Sequence, residues 1–218
     1  MKKTLSFLFV ILLLAIPALG GCGEQEAPPD FAQIYVQGIL DTLYQGEYTE
    51  EFLTVTDTED PAELEAEYLA GLDTEVNYFA YYFGIDELSE SAKTDLTALY
   101  RDLYRLSRYE VLPSVPLEDD YIVDVIVEPL DVIDRVVKED LESFAFEMKS
   151  ASSYGITSDE YEQQYVEGLI ERIREKMETP GYREPVTIKL EVVRNSDDGL
   201  YYIKGNGLAE IDEQVLRY

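Results

Sequence analysis

Histidine is absent from this 218-residue chain, cysteine occurs once, and Lys and Arg number 17 against 46 Asp and Glu. Each shortage excludes a class of chemistry. Imidazole is the usual general base and the commonest transition-metal ligand, so both roles lose their best side chain. Without histidine no Ser-His-Asp arrangement can be built. A formal charge of −29 argues against nucleic acid, whose phosphates demand clustered Lys and Arg. It also sets the chain against lying flat on anionic lipid, since like charges repel. Neither a Gly-x-Ser-x-Gly elbow nor a Ser-x-x-Lys pair occurs, and no cofactor is expected.

Against these absences stands one long apolar run, and it lies at the start. Lys2 and Lys3 precede Leu5 to Leu14, then Pro17, Ala18, Gly20 and Gly21 lead to the single cysteine, Cys22. Proline and two glycines interrupt the run before the roughly 20 apolar residues that spanning a bilayer takes. A basic start, an apolar centre and small residues make a secretory leader. An exported lone thiol has no disulfide partner, which sets Cys22 apart from an incidental cysteine. Leu19-Gly20-Gly21-Cys22 resembles the lipobox of bacterial lipoproteins. That resemblance implies cleavage after Gly21 and lipid on the Cys22 sulfur, leaving no thiol for zinc or nucleophilic chemistry. The expected plan is a leader over 1–21, a lipidated cysteine and short tether over 22–30, and a single α+β domain over 31–218. Loss of the leader removes Lys2 and Lys3, so the remaining chain is more acidic still.

Downstream, the apolar period alternates between that of helix and that of strand. A helix is predicted over 31–45, with Asp30 as N-cap and Gly46 as stop, and a short irregular or helical piece near 50–55. A second helix runs from Pro61 to Phe83 behind Asp60, and a third over about 88–107. Tyr109 to Val115 and Tyr121 to Glu128 read as strands, with Pro113 pushing the first toward an edge or bulge. Helical spacing returns over 130–149 and again from Thr157 to Met177, where Thr157 and Glu160 can form a capping box. Val186, Ile188, Leu190 and Val192 give the cleanest alternation, and a turn at 195–199 leads to a strand over 200–204. A short helix over 207–216 closes the series. The predicted architecture is a helical layer packed on a four-stranded antiparallel sheet.

Tyr78, Tyr81 and Tyr82 are the candidate ligand-binding residues. They sit in the run Tyr78-Phe79-Ala80-Tyr81-Tyr82-Phe83, where Phe79 and Phe83 take the buried stripe and the tyrosines its flank. Tyrosine offers a ring face and a hydroxyl together, which suits a sugar, a peptide or an aromatic solute. Ordinary packing, with phenols reaching water, is the competing reading for these and for Tyr100 and Tyr104. The acidic stretches 57–60 and 195–199 lack the alternating oxygen ligands and distal Glu of a calcium loop, so no metal is expected. Gly205-Asn206-Gly207 echoes a dinucleotide loop, but Glu210 stands where the third glycine should be.

Tyr44-Gln45-Gly46-Glu47-Tyr48, Tyr109-Glu110-Val111 and the stretch Val123 to Pro129 join the lipobox in a wider likeness. Together they resemble the small uncharacterised surface lipoproteins of Gram-positive bacteria. The resemblance implies a place on the outer face of the cell membrane, held through Cys22, with no activity attached. The expected function is a non-catalytic module that binds a small ligand or an envelope protein. A carboxylate-dependent hydrolase and an assembly subunit are the alternatives.

Overall fold

A computed structural model describes residues 29–152, 157–196 and 200–218. Cys22, the expected leader and most of the expected tether therefore lie outside the described residues, as do Asp197, Asp198 and Gly199. The helices are α1 (Phe31–Gln45), α2 (Glu50–Val55), α3 (Ala62–Phe83), α4 (Glu90–Tyr104), α5 (Val132–Glu139), α6 (Leu141–Ser152), α7 (Ser158–Met177) and α8 (Gly207–Val215). The strands are β1 (Arg108–Val111), β2 (Val115–Leu117), β3 (Asp120–Glu128), β4 (Val186–Arg194) and β5 (Tyr201–Lys204). The fold is α+β, with an antiparallel sheet ordered β1-β3-β4-β5 and β2 also paired to β3.

Local chemistry explains most of the boundaries. Asp30 caps α1 by accepting the Gln33 N–H at 3.0 Å, and Gly46 ends it in the left-handed region at φ 66°. Ser89 caps α4, so that helix begins at Glu90 and not at Leu88. Thr157 and Glu160 form the expected capping box at the start of α7. Two segments depart from the sequence reading. The strand expected over 109–115 is interrupted, because Pro113 carries no N–H for the ladder, and with β1 and β2 on either side of it the sheet has five strands among the described residues. The helix expected over 130–149 breaks at Asp140, where Glu139 and Asp140 both turn to Lys176 Nζ, at 2.8 and 3.0 Å.

The described chain divides into two compact units. The sheet unit holds Tyr109–Val127, Pro185–Glu213 and the described residues up to Glu65; the helix unit holds Ala66–Arg108, Glu128–Glu184 and Gln214–Tyr218.

In the sheet unit, strand register sorts the side chains. Val123, Val125, Ile188, Leu190 and Val192 face inward and are buried. Helix α1 meets this face through Phe31, whose ring lies 6.1 Å from Tyr121 and 4.8 Å from Tyr201. Gly207 at the start of α8 sits so close to Leu190 that a Cβ there would lie 2.2 Å from its side chain. Gly38 lets α1 and α2 approach in the same way, since a Cβ would fall 2.0 Å from the Phe52 ring.

In the helix unit, α4 and α5 both pack on α7, whose Leu169 and Ile173 are fully buried. Arg172 lies over the Phe144 ring at 3.8 Å, and Phe144 stacks on Tyr165 at 5.4 Å. Residues 214–218 close the unit: Leu216 bridges to Leu130, and the Arg217 carbonyl accepts the Asp134 N–H at 3.2 Å. Among the described residues no helix is long and apolar enough to cross a membrane.

Candidate functional site

Helix α3 brings the sequence-nominated tyrosines to the helix unit. Its inner stripe, Leu72, Val76, Phe79 and Phe83, is buried, which fixes the rotation of the helix. Tyr78 and Tyr82, one turn apart, then stand on one flank with their rings 6.1 Å apart. Both meet a ring that the sequence did not nominate: Tyr218 lies 4.9 Å from each, edge-on to Tyr78. Tyr81 reaches only the margin of this group, 6.2 Å from Tyr78, and is 61% exposed. Tyr82 is 38% exposed. The three candidates therefore form the rim of a cluster whose centre is Tyr218.

The polar floor of the cluster is buried. The Tyr218 hydroxyl is hydrogen-bonded to the Tyr100 hydroxyl and lies 3.4 Å from Glu75 Oε2. Tyr100 is fully buried and Glu75 is 3% exposed. Burial, with the nearby Glu75 charge as a secondary cause, pushes the Tyr100 phenol well above its ordinary range, and Tyr218 moves the same way. Both hydroxyls therefore stay protonated and able to donate. Neither Glu75 nor Tyr218 stood out in the sequence, because α3 and residues 214–218 are joined only through the folded unit.

A charged group flanks the rim. Asp134 of α5 pairs with Arg183 and with Lys138, the latter at 2.8 Å. Burial alone would raise the Asp134 carboxyl, but the hydrogen bonds and charges of Lys138 and Arg183 outweigh it and hold the carboxyl below the usual range. Tyr82 feels the Asp134 charge. Its phenol is raised by partial burial first, then by Tyr78 and Asp134. The rim thus offers exposed tyrosine ring faces within the field of the Asp134 charge, which suits binding of a polar aromatic or hydroxylated group.

Two grooves open elsewhere in the helix unit. One of about 250 Å³ lies between the start of α4 and α7, lined by Leu88, Ala92, Val166, Glu87 and Glu162 among others. A second of about 400 Å³ is acidic, with Asp95, Glu167, Glu171 and Glu175 beside Arg174. Neither is lined by the tyrosines. Among the described residues no group of three or more Asp, Glu, His or Cys side chains could hold a metal ion. Asp60 serves α3 itself, its Oδ1 accepting the Ala62 N–H at 3.0 Å.

No family model and no curated protein sequence matches the chain. Among solved structures it is similar to the crystal structure of "a putative lipoprotein (ycdA)" from Bacillus subtilis subsp. subtilis str. 168, at 16% identity and a TM-score of 0.58. The likeness covers 87% of this chain and 56% of that one, so this chain spans little more than half of the other's length. At that identity the likeness shows the fold. The two share an α+β architecture.

Proposed function

We propose that the chain is an extracytoplasmic module held to the cell membrane by lipid on Cys22, and that it binds a small ligand or an envelope protein without catalysis. The observation that carries the anchor is Leu19-Gly20-Gly21-Cys22 behind an apolar leader. The fold shared with the Bacillus subtilis chain supports it. Two acyl chains would hold stably, each buried methylene contributing about 0.8 kcal/mol. For binding, the support is the exposure of the Tyr81 and Tyr82 rings at the edge of the tyrosine cluster. For the absence of catalysis, it is a sequence with no histidine and a single cysteine taken by lipid.

Metabolic labelling with palmitate tests the anchor. The wild-type chain should incorporate label and fractionate with membranes, and Cys22→Ser should do neither. A Cys22→Ser chain that still labels and stays membrane-bound would overturn the reading. A thermal-shift screen of residues 23–218 against sugars, peptides, amino acids and calcium tests the rim. Stabilisation that is lost in Tyr82→Ala supports it; stabilisation by none of them leaves an envelope protein as the ligand.

A further inference from the structure

The sheet has an outer face as well as an inner one, and its β2 edge is apolar. Strand β2 is Val115-Pro116-Leu117, exposed along its length, with Pro113 exposed just before it. Val115 is 61% exposed and Leu117 is 56% exposed. Their register with Ile122 and Asp120 puts both side chains on the face turned away from the buried valines of β3. The same face carries Lys189 opposite Asp124, and Lys204 paired with Glu191 at 3.0 Å. Asp120 shares this face by the same register, so its carboxylates still outnumber Lys189 and Lys204, and the apolar surface is confined to the β2 edge.

The position of this edge suggests its occupant. Asp30 Oδ2 accepts the N–H of Ser114, the residue before β2, at 2.7 Å. The chain therefore enters the sheet unit beside the apolar edge. Residues 23–29 separate Cys22 from Asp30, and a stretch of that length reaches about 25 Å at most. We propose that Val115 and Leu117 rest in the interfacial layer of the bilayer and orient the sheet unit against it, an inference that rests on Cys22 being the lipid anchor.

Physical chemistry favours this occupant over a second copy. Pro116 removes a backbone donor from the middle of the edge, which disfavours strand-to-strand pairing. A short tether holds the edge at high effective concentration near lipid, so a contact too small to recruit a free protein suffices. The exposed carboxylates Glu118 and Asp119 in the adjoining turn remain in water and limit the depth. They also make the contact weaker on anionic lipid than on zwitterionic lipid.

The chain has no tryptophan, so Leu117→Trp would carry the sole indole. Residues 22–218 of this variant keep every residue that the structure describes, and the Cys22 thiol can be coupled to a maleimide lipid in phosphatidylcholine vesicles. Brominated acyl chains should quench its emission about twofold or more. Val186→Trp, at the opposite end of the β3–β4 pairing and 37% exposed, should be unquenched. No quenching at position 117, or equal quenching at both positions, would overturn the proposal. So would an emission shift of Leu117→Trp that follows protein concentration without vesicles, which would assign the edge to a second copy. Because the anchor here is chemical, such a failure leaves the lipidation of Cys22 untouched, and palmitate labelling tests that separately.

Discussion

Tyrosine meets carboxylate in both units but at different depths: in the sheet unit Tyr109 donates to Asp41 at 2.7 Å with both residues half-buried, whereas in the helix unit Tyr100 and Glu75 are buried outright. In the sheet unit Phe31, Tyr35, Tyr121 and Tyr201 gather half-buried at one end of the sheet, and the Tyr35 hydroxyl donates to the Tyr201 carbonyl at 3.2 Å. The sheet's own core is aliphatic, with Val123, Val125, Leu190 and Val192 fully buried. In the helix unit two tyrosine hydroxyls and the Glu75 carboxylate share the interior. An aliphatic core answers to volume, because its contacts are non-directional. A buried polar cluster answers to single atoms, because each unpaired donor or acceptor there is costly.

The comparison can be broken in four ways. Leu190→Ala should have the largest effect, about 2–5 kcal/mol of stability lost, read from denaturant unfolding. A loss below about 1 kcal/mol would mean that the sheet core collapses around the gap. Gly38→Ala follows, at about 1–3 kcal/mol, because its new methyl meets the Phe52 ring. Phe52→Leu in the same chain should recover part of that loss, and no recovery would place the strain elsewhere.

In the helix unit, Tyr100→Phe removes one oxygen and with it one of the Tyr218 hydroxyl's hydrogen bonds, the Glu75 contact remaining. About 1–3 kcal/mol should be lost at neutral pH with little change in volume. A loss no larger than that of Tyr35→Phe, about 0.5–1.5 kcal/mol, would erase the distinction between the units.

The fourth way needs no mutation. Burial pushes the Tyr35 phenol up to about 12 from an ordinary value of 10.0. Below pH 10 the phenol is neutral whether the chain is folded or not, and its contribution is complete. Between about 10 and 12 the unfolded chain sheds this proton and the folded chain keeps it, so stability falls as pH rises. Tyrosinate absorbance and melting temperature measured together should show this decline. In Tyr35→Phe the decline should be shallower, and an identical slope would remove Tyr35 from the account.

Legibility followed the range of the interactions. The capping box at Thr157 and Glu160, the stop at Gly46 and the alternation along β4 involve neighbours within about four residues, and all could be read directly. Pro113 signalled a disturbed strand, but the two pieces it leaves depend on β3 as a common partner. The break at Asp140 had no local signal, since Lys176 lies a long way along the chain. Tyr78, Tyr81 and Tyr82 were visible as a stripe, and their flank position followed from helical geometry. That Tyr218 and Glu75 complete the cluster was not visible.

By itself, the sequence determined the acidity and the α+β class, because composition and short periodicities carry both. Tertiary structure decided how the chain divides into units, which tyrosines share a floor, and that the β2 edge stands beside Asp30. Those depend on residues far apart in sequence being held together, and only the packed core holds them there.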